Sequence, residues 1–139
     1  METEPQIIEQ YIKTGKARLI YRHLLQLGDG SRALAEVSEC AGAQGAFWDM
    51  RELIYQRQAE FYGASDFASV EPLVTELGLD ASQFRQCLDQ HQFQQQVLDD
   101  YAAARSEGVT SRPVFDINGT RIIGAQPFTR FQQALEAAQ

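Results

Sequence analysis

A cysteine can exchange disulfides, hold a metal or attack a carbonyl, so the two cysteines of this 139-residue chain, Cys40 and Cys87, come first. They are too far apart to form the C-x-x-C of a redox loop or a zinc knuckle, and a single pair is no secreted disulfide framework. Each falls on an apolar helical stripe, where a cysteine behaves as a small buried hydrophobe. Two buried free thiols are therefore expected in preference to a bond between them. A bond, if formed, would stabilise the fold by at most about 4 kcal/mol through loop closure. Neither state makes either sulfur catalytic. His23 and His91 have no cysteine or second histidine at metal-ligand spacing and read as structural. H-E-x-x-H, G-x-S-x-G and the phosphate-binding loop are all absent.

Gly28-Asp29-Gly30-Ser31-Arg32-Ala33 fits G-x-G-x-x-A. Asp29 would set a carboxylate beside a pyrophosphate, and no second strand ending in Asp or Glu follows, so a plain turn is the reading. Asp99-Asp100 belongs to a polar helix face. Asn118-Gly119-Thr120 matches a glycosylation acceptor, but a hairpin turn accounts for it. No catalytic residue, metal or cofactor is expected within the chain. What remains is Thr110-Ser111-Arg112-Pro113, where a proline stands at the start of a strand. Lacking an amide hydrogen, it suits the start of an edge strand or a cis turn rather than a paired strand centre.

The elements around that loop follow from periodicity. Ile8, Tyr11 and Ile12 share a helix face that stops at Gly15, and Ala17 to His23 alternates like a strand. From Ser31 to about Glu107 only helical signals occur. Ser31 and Ser69 are expected caps, Pro72 is tolerated in a first turn, and Asp80 with Gln83 resembles a capping box. Pro113 to Ile117, Asn118-Gly119 and Thr120 to Ile123 form a type I′ hairpin, and a helix follows Pro127. Neither a repeat nor a linker is present, so one domain, 1–139, is expected, with a helical insertion at about 31–107. A net charge of −7 and a pI near 4.7 argue against nucleic-acid and anionic-membrane partners. The acidic first residues are followed by no long apolar run, so the chain as written is expected to be cytoplasmic.

Read as a set, these pieces resemble the DsbA-like (FrnE-like) thioredoxin-fold family. The likeness runs through Thr14-Gly15-Lys16-Ala17-Arg18-Leu19, then Glu39-Cys40-Ala41-Gly42-Ala43-Gln44-Gly45-Ala46-Phe47-Trp48, and Glu76-Leu77-Gly78-Leu79-Asp80. It continues from Gly108 to Gly119, through Gly124-Ala125-Gln126-Pro127, to Phe131-Gln132-Gln133-Ala134-Leu135-Glu136. The resemblance implies an α/β, thioredoxin-like fold with an inserted helical domain, mostly helical by residue count. It implies thiol–disulfide oxidoreductase or isomerase chemistry, extracytoplasmic if an upstream signal is missing, on a thiol- or disulfide-containing protein or peptide. In the family the reactive thiol sits in a C-x-x-C that begins the helix after the first core strand. This sequence holds neither that strand nor that motif, so redox inactivity is expected of it.

In such a sheet the strand at 17–23 and the strand at 113–117 would flank a gap. Either these two pair directly, or a second copy fills the gap in a homodimer. Arg112 and Ser111 depart from the small or β-branched residue and the glycine that the family has before this proline. Thr110, Ser111, Arg112 and Pro113 are nonetheless the expected substrate-binding residues, through backbone hydrogen bonds to an extended peptide. Two alternatives stand beside this reading: a redox-inert peptide-binding or dimerising module, and a kappa-like glutathione-dependent transferase or isomerase.

Overall fold

Helix start and stop signals decide where most elements of the fold begin. A computed structural model describes residues 3–23, 29–61, 66–109 and 113–139. The chain divides into two compact units, one of Met1–Arg22 with Ala104–Gln139, the other His23–Ala103.

In the first unit, α1 (Thr3–Ile7) runs on into a π-helical turn over Ile8–Ile12, where the Lys13 amide donates to the Ile8 carbonyl at 2.9 Å. Ile7 and Tyr11 lie on its buried face. The hairpin is built by β1 (Val114–Ile117) and β2 (Thr120–Ile123), antiparallel, with Val114 opposite Ile123 and Ile117 opposite Thr120. Its turn needs two residues in the left-handed region, and Asn118 and Gly119 supply them at φ 49° and 95°. The Gly119 amide donates to Asp116 Oδ1 at 2.7 Å and locks that turn. Helix α8 (Phe128–Ala137) starts after Pro127 and lays Phe131 and Leu135 against Ile7, Tyr11 and Ile122. Phe131 is fully buried and meets Phe115 edge to face at 4.8 Å. The Tyr11 hydroxyl donates to Glu136 at 3.1 Å, and burial together with that carboxylate pushes the phenol above its usual pKa.

The regular structure of the second unit is all helical among its described residues, from α2 (Asp29–Gly42), α3 (Phe47–Gln56) and α4 (Gln58–Phe61) to α5 (Phe67–Glu76) and α6 (Ala81–Asp89). Helix α7 (Gln94–Ser106) follows. Val37, Met50, Leu73, Val74 and Phe84 form the centre of its core. Arg57 joins α4 to α5 by reaching Glu60 at 2.8 Å and Glu76 at 2.9 Å.

Several expectations need correcting. Ala17 to His23 lies in no ladder, and among the described residues the sheet is β1 and β2 alone, so the direct pairing of 17–23 with 113–117 does not occur. Alternation gives a segment the propensity for a strand, but a strand forms only when a second backbone is laid beside it. Helix α2 begins at Asp29 rather than after Ser31. Helix α5 is capped by Asp66, whose Oδ1 accepts from the Ser69 amide at 3.0 Å, so Ser69 is the third helical residue and Pro72 lies inside the helix. Asp80 does cap α6 through the Gln83 amide at 2.9 Å, while its own amide donates to Gln44 Oε1 at 2.8 Å, taking the place of the reciprocal bond a capping box would make.

Two measurements check these packing statements. Phe131→Ala is expected to lower stability by about 3–5 kcal/mol in urea unfolding, because its ring has no exposed face to give up. The hydroxyl of Ser69, with its amide, holds the Asp66 carboxyl below the ordinary aspartate range. A depressed folded-state pKa contributes stability above the unfolded value and loses it as pH falls through the folded one. Asp66→Asn is therefore expected to flatten the decline of stability in the acid carboxylate range, read from melting temperatures against pH.

Candidate functional site

The loop before β1 is placed by the end of α7. Gly108, at φ 77°, closes that helix, with the Val109 amide donating to the Ala104 carbonyl at 2.9 Å and the Gly108 amide to Arg105 at 3.2 Å. Pro113 is half-buried, and its carbonyl accepts from the Gly124 amide at 2.8 Å, extending the hairpin by one bonded pair. Thr110, Ser111 and Arg112 lie outside the described residues, as does the peptide bond into Pro113. Of the expected substrate-binding set, the structure therefore places Pro113, at the mouth of β1 beside the start of the loop after β2.

The sulfur chemistry differs from expectation. Cys40 on α2 and Cys87 on α6 are not free thiols but a disulfide, with their Cα atoms 5.9 Å apart and a sequence separation of 47. Periodicity shows correctly that each cysteine faces the core. Which core residue lies opposite depends on how α2 and α6 pack, and spacing along the chain carries no trace of that. The two residues are 1% and 3% exposed, among Val37, Leu73, Val74 and Phe84. A sulfur so enclosed offers no path for attack by an external thiolate.

Each histidine, isolated in the sequence, meets a glutamate of α2. His23 Nε2 lies 2.8 Å from Glu39 Oε1, and His91 Nδ1 lies 2.9 Å from Glu36 Oε1. The His23 backbone amide also donates to Asp100 Oδ2 at 3.4 Å. Glu36 and His23 are each 4% exposed, so these pairs satisfy polar groups inside the helical unit. The signal in the sequence is two carboxylates one turn apart on a helix whose neighbouring positions are apolar. No group of three or more His, Cys, Asp or Glu side chains able to hold a metal occurs among the described residues.

A further feature has no motif behind it. Arg121, Ile122, Ile123, Gln126 and Arg130 line a cleft of about 440 Å³ on the β2 side of the hairpin. The residues come from a strand, a loop and a helix, and only the packing of α8 on the sheet brings them together.

A hairpin that opens on a proline, a helix closing over it and a large helical unit inside the same chain define an α/β, mostly helical architecture of the thioredoxin type. The sequence matches the thioredoxin family over residues 1–137. The chain belongs to the thioredoxin family. Curated relatives include the Na+/H+ antiporter NhaA 1 of Salinispora arenicola, 29% identical over 139 residues that make up 99% of this chain and 21% of the relative. The Na+/H+ antiporter NhaA 3 of Salinispora tropica is 29% identical over 139 residues, with 99% and 21% covered. The Na+/H+ antiporter NhaA of Herminiimonas arsenicoxydans is 31% identical over 122 residues, 88% of this chain and 19% of the relative. The chain spans about a fifth of the length of the curated relatives it matches. Among the described residues no helix is long and apolar enough to cross a membrane.

The disulfide can be tested directly. Closing the loop between Cys40 and Cys87 stabilises the fold by up to about 4 kcal/mol, so dithiothreitol is expected to lower the urea midpoint, with the native protein unreactive toward a thiol reagent until it unfolds. Equal midpoints with and without reductant, or two thiols titrating in the untreated native protein, would refute the bond.

Proposed function

We propose that this chain is a DsbA-like thioredoxin-fold module that holds thiol- or disulfide-containing polypeptides at the loop ending in Pro113, and that residues 1–139 contribute no redox-active thiol. The observation that carries this reading is the burial of both cysteines in one bond between α2 and α6. Electron transfer by exchange needs a thiolate that can reach a substrate sulfur, and these two sulfurs are enclosed by apolar side chains. Family membership supports a role in thiol–disulfide chemistry, and the loop at 110–113 is where this chain would meet a substrate. An extended peptide laid along that loop would draw on backbone hydrogen bonds, for which no particular side chain is required.

The antiporter relatives favour a second reading, of setting rather than chemistry. A module matching about a fifth of each relative, with no membrane-crossing helix among its described residues, would work alongside a Na+/H+ antiporter without itself carrying ions.

Both parts of the main proposal are measurable. In an insulin-reduction assay with dithiothreitol, the chain is expected to leave the uncatalysed rate unchanged, and dithiol-dependent turnover would sink the redox-inert part. A fluorescent, S-alkylated cysteine peptide is expected to bind, and Pro113→Ala is expected to weaken it roughly tenfold, or about 1.4 kcal/mol. Unchanged binding by a Pro113→Ala variant with native circular dichroism would remove the loop from the site.

A further inference from the structure

We propose that the cleft on the outer edge of β2 binds an extended acidic peptide segment by strand addition, with Arg121 and Arg130 pairing its carboxylates. Among the described residues β1 pairs with one edge of β2 and no strand pairs with the other. In the antiparallel register the bonded pairs alternate, and three observations fix which they are: the two-residue turn after Ile117, the Ile117–Thr120 closing pair, and the Gly124 amide on the Pro113 carbonyl at 2.8 Å. Thr120, Ile122 and Gly124 therefore turn their backbone groups toward β1. The amides of Arg121 and Ile123 point out of the sheet, about 7 Å apart along the strand, a spacing that an extended chain matches residue by residue. The Ile123 carbonyl is already covered, since Gln126 Nε2 donates to it at 3.2 Å.

Charge says what kind of chain would come. The protein has 19 acidic and 12 basic residues, a surplus of partners for any arginine. Neither Arg121 nor Arg130 is paired with a carboxylate among the described residues. Arg121 is steadied by its Nη1, which donates to the Glu107 carbonyl at 3.1 Å, and its remaining donors are uncommitted. Asp116, directly across the ladder, is turned into the hairpin by the Gly119 amide at 2.7 Å. The two guanidinium groups and Gln126 rim a cleft of about 440 Å³ that also takes in Ile122 and Ile123, and the Ile123 side chain is 57% exposed. Open backbone donors select an extended backbone, and the unpaired arginines select acidic side chains along it. This site lies on the β2 side of the hairpin and does not depend on the reading of the Pro113 loop.

The test is fluorescence anisotropy with a labelled peptide of alternating glutamate and valine, against its lysine–valine counterpart and a glutamate–valine peptide N-methylated on alternate amides. The glutamate peptide is expected to bind, the lysine peptide not to. Arg121→Gln with Arg130→Gln is expected to weaken binding by roughly tenfold or more, and added salt to weaken it further. Both side chains are exposed, so the double variant is expected to keep the wild-type circular dichroism and unfolding midpoint, and single variants serve if it does not. Equal binding of the lysine peptide, or by arginine variants that remain folded, would overturn the charge assignment. Undiminished binding of the peptide whose methylated amides face β2 would overturn strand addition.

Discussion

The bond between Cys40 and Cys87 joins two helices that the chain places 47 residues apart, and the order of the helical unit depends on it. Helices α2 and α6 each present one apolar stripe, and the sulfurs sit where those stripes meet, beside Val37, Leu73 and Phe84. Around that tie the polar groups of α2 are also committed, Glu39 to His23 and Glu36 to His91. A helix that buries one carboxylate and half-buries another beside a cysteine has few other orientations open to it, because each would strand a polar group in an apolar interior. The same enclosure removes both sulfurs from exchange chemistry. In this chain the cysteines tie the helical unit together.

The hairpin unit is governed by backbone geometry. Asn118 and Gly119 accept positive φ, the Asp116 carboxylate fastens the turn, and the register that follows sends Ile122 inward to Phe131 and leaves Ile123 outside. A shift of one residue would exchange those two isoleucines and empty the core beneath α8. The turn therefore decides which backbone amides face outward at Arg121 and Ile123, and a two-residue loop reaches as far as the binding properties of the strand edge.

Much of this was legible in advance because it depends on short-range chemistry. The Asn-Gly turn, the stop at Gly108, the Asp80 cap and the inward faces of Phe131, Leu135, Phe84 and Cys87 all follow from periodicity and from which side chains reach nearby amides. Errors fell where two local signals competed or where a partner was needed. Asp66 outcompeted Ser69 as a cap by standing one turn earlier with a better acceptor, which carried Pro72 into the helix. The alternating stretch from Ala17 to His23 had the composition of a strand but joins no ladder among the described residues.

Residue order by itself thus determined most of the helices, the hairpin and its turn, the faces that go inward and, through the ordered resemblance, the thioredoxin family. Tertiary structure alone decided which inward faces meet. It paired the two cysteines, gave each histidine a glutamate, and set Arg121 of the strand beside Arg130 of the closing helix. The physical reason is range: propensity, capping and turn geometry act over a few residues, whereas a disulfide, a histidine–glutamate contact or a cleft is a coincidence in space between segments whose separation along the chain leaves no periodic mark.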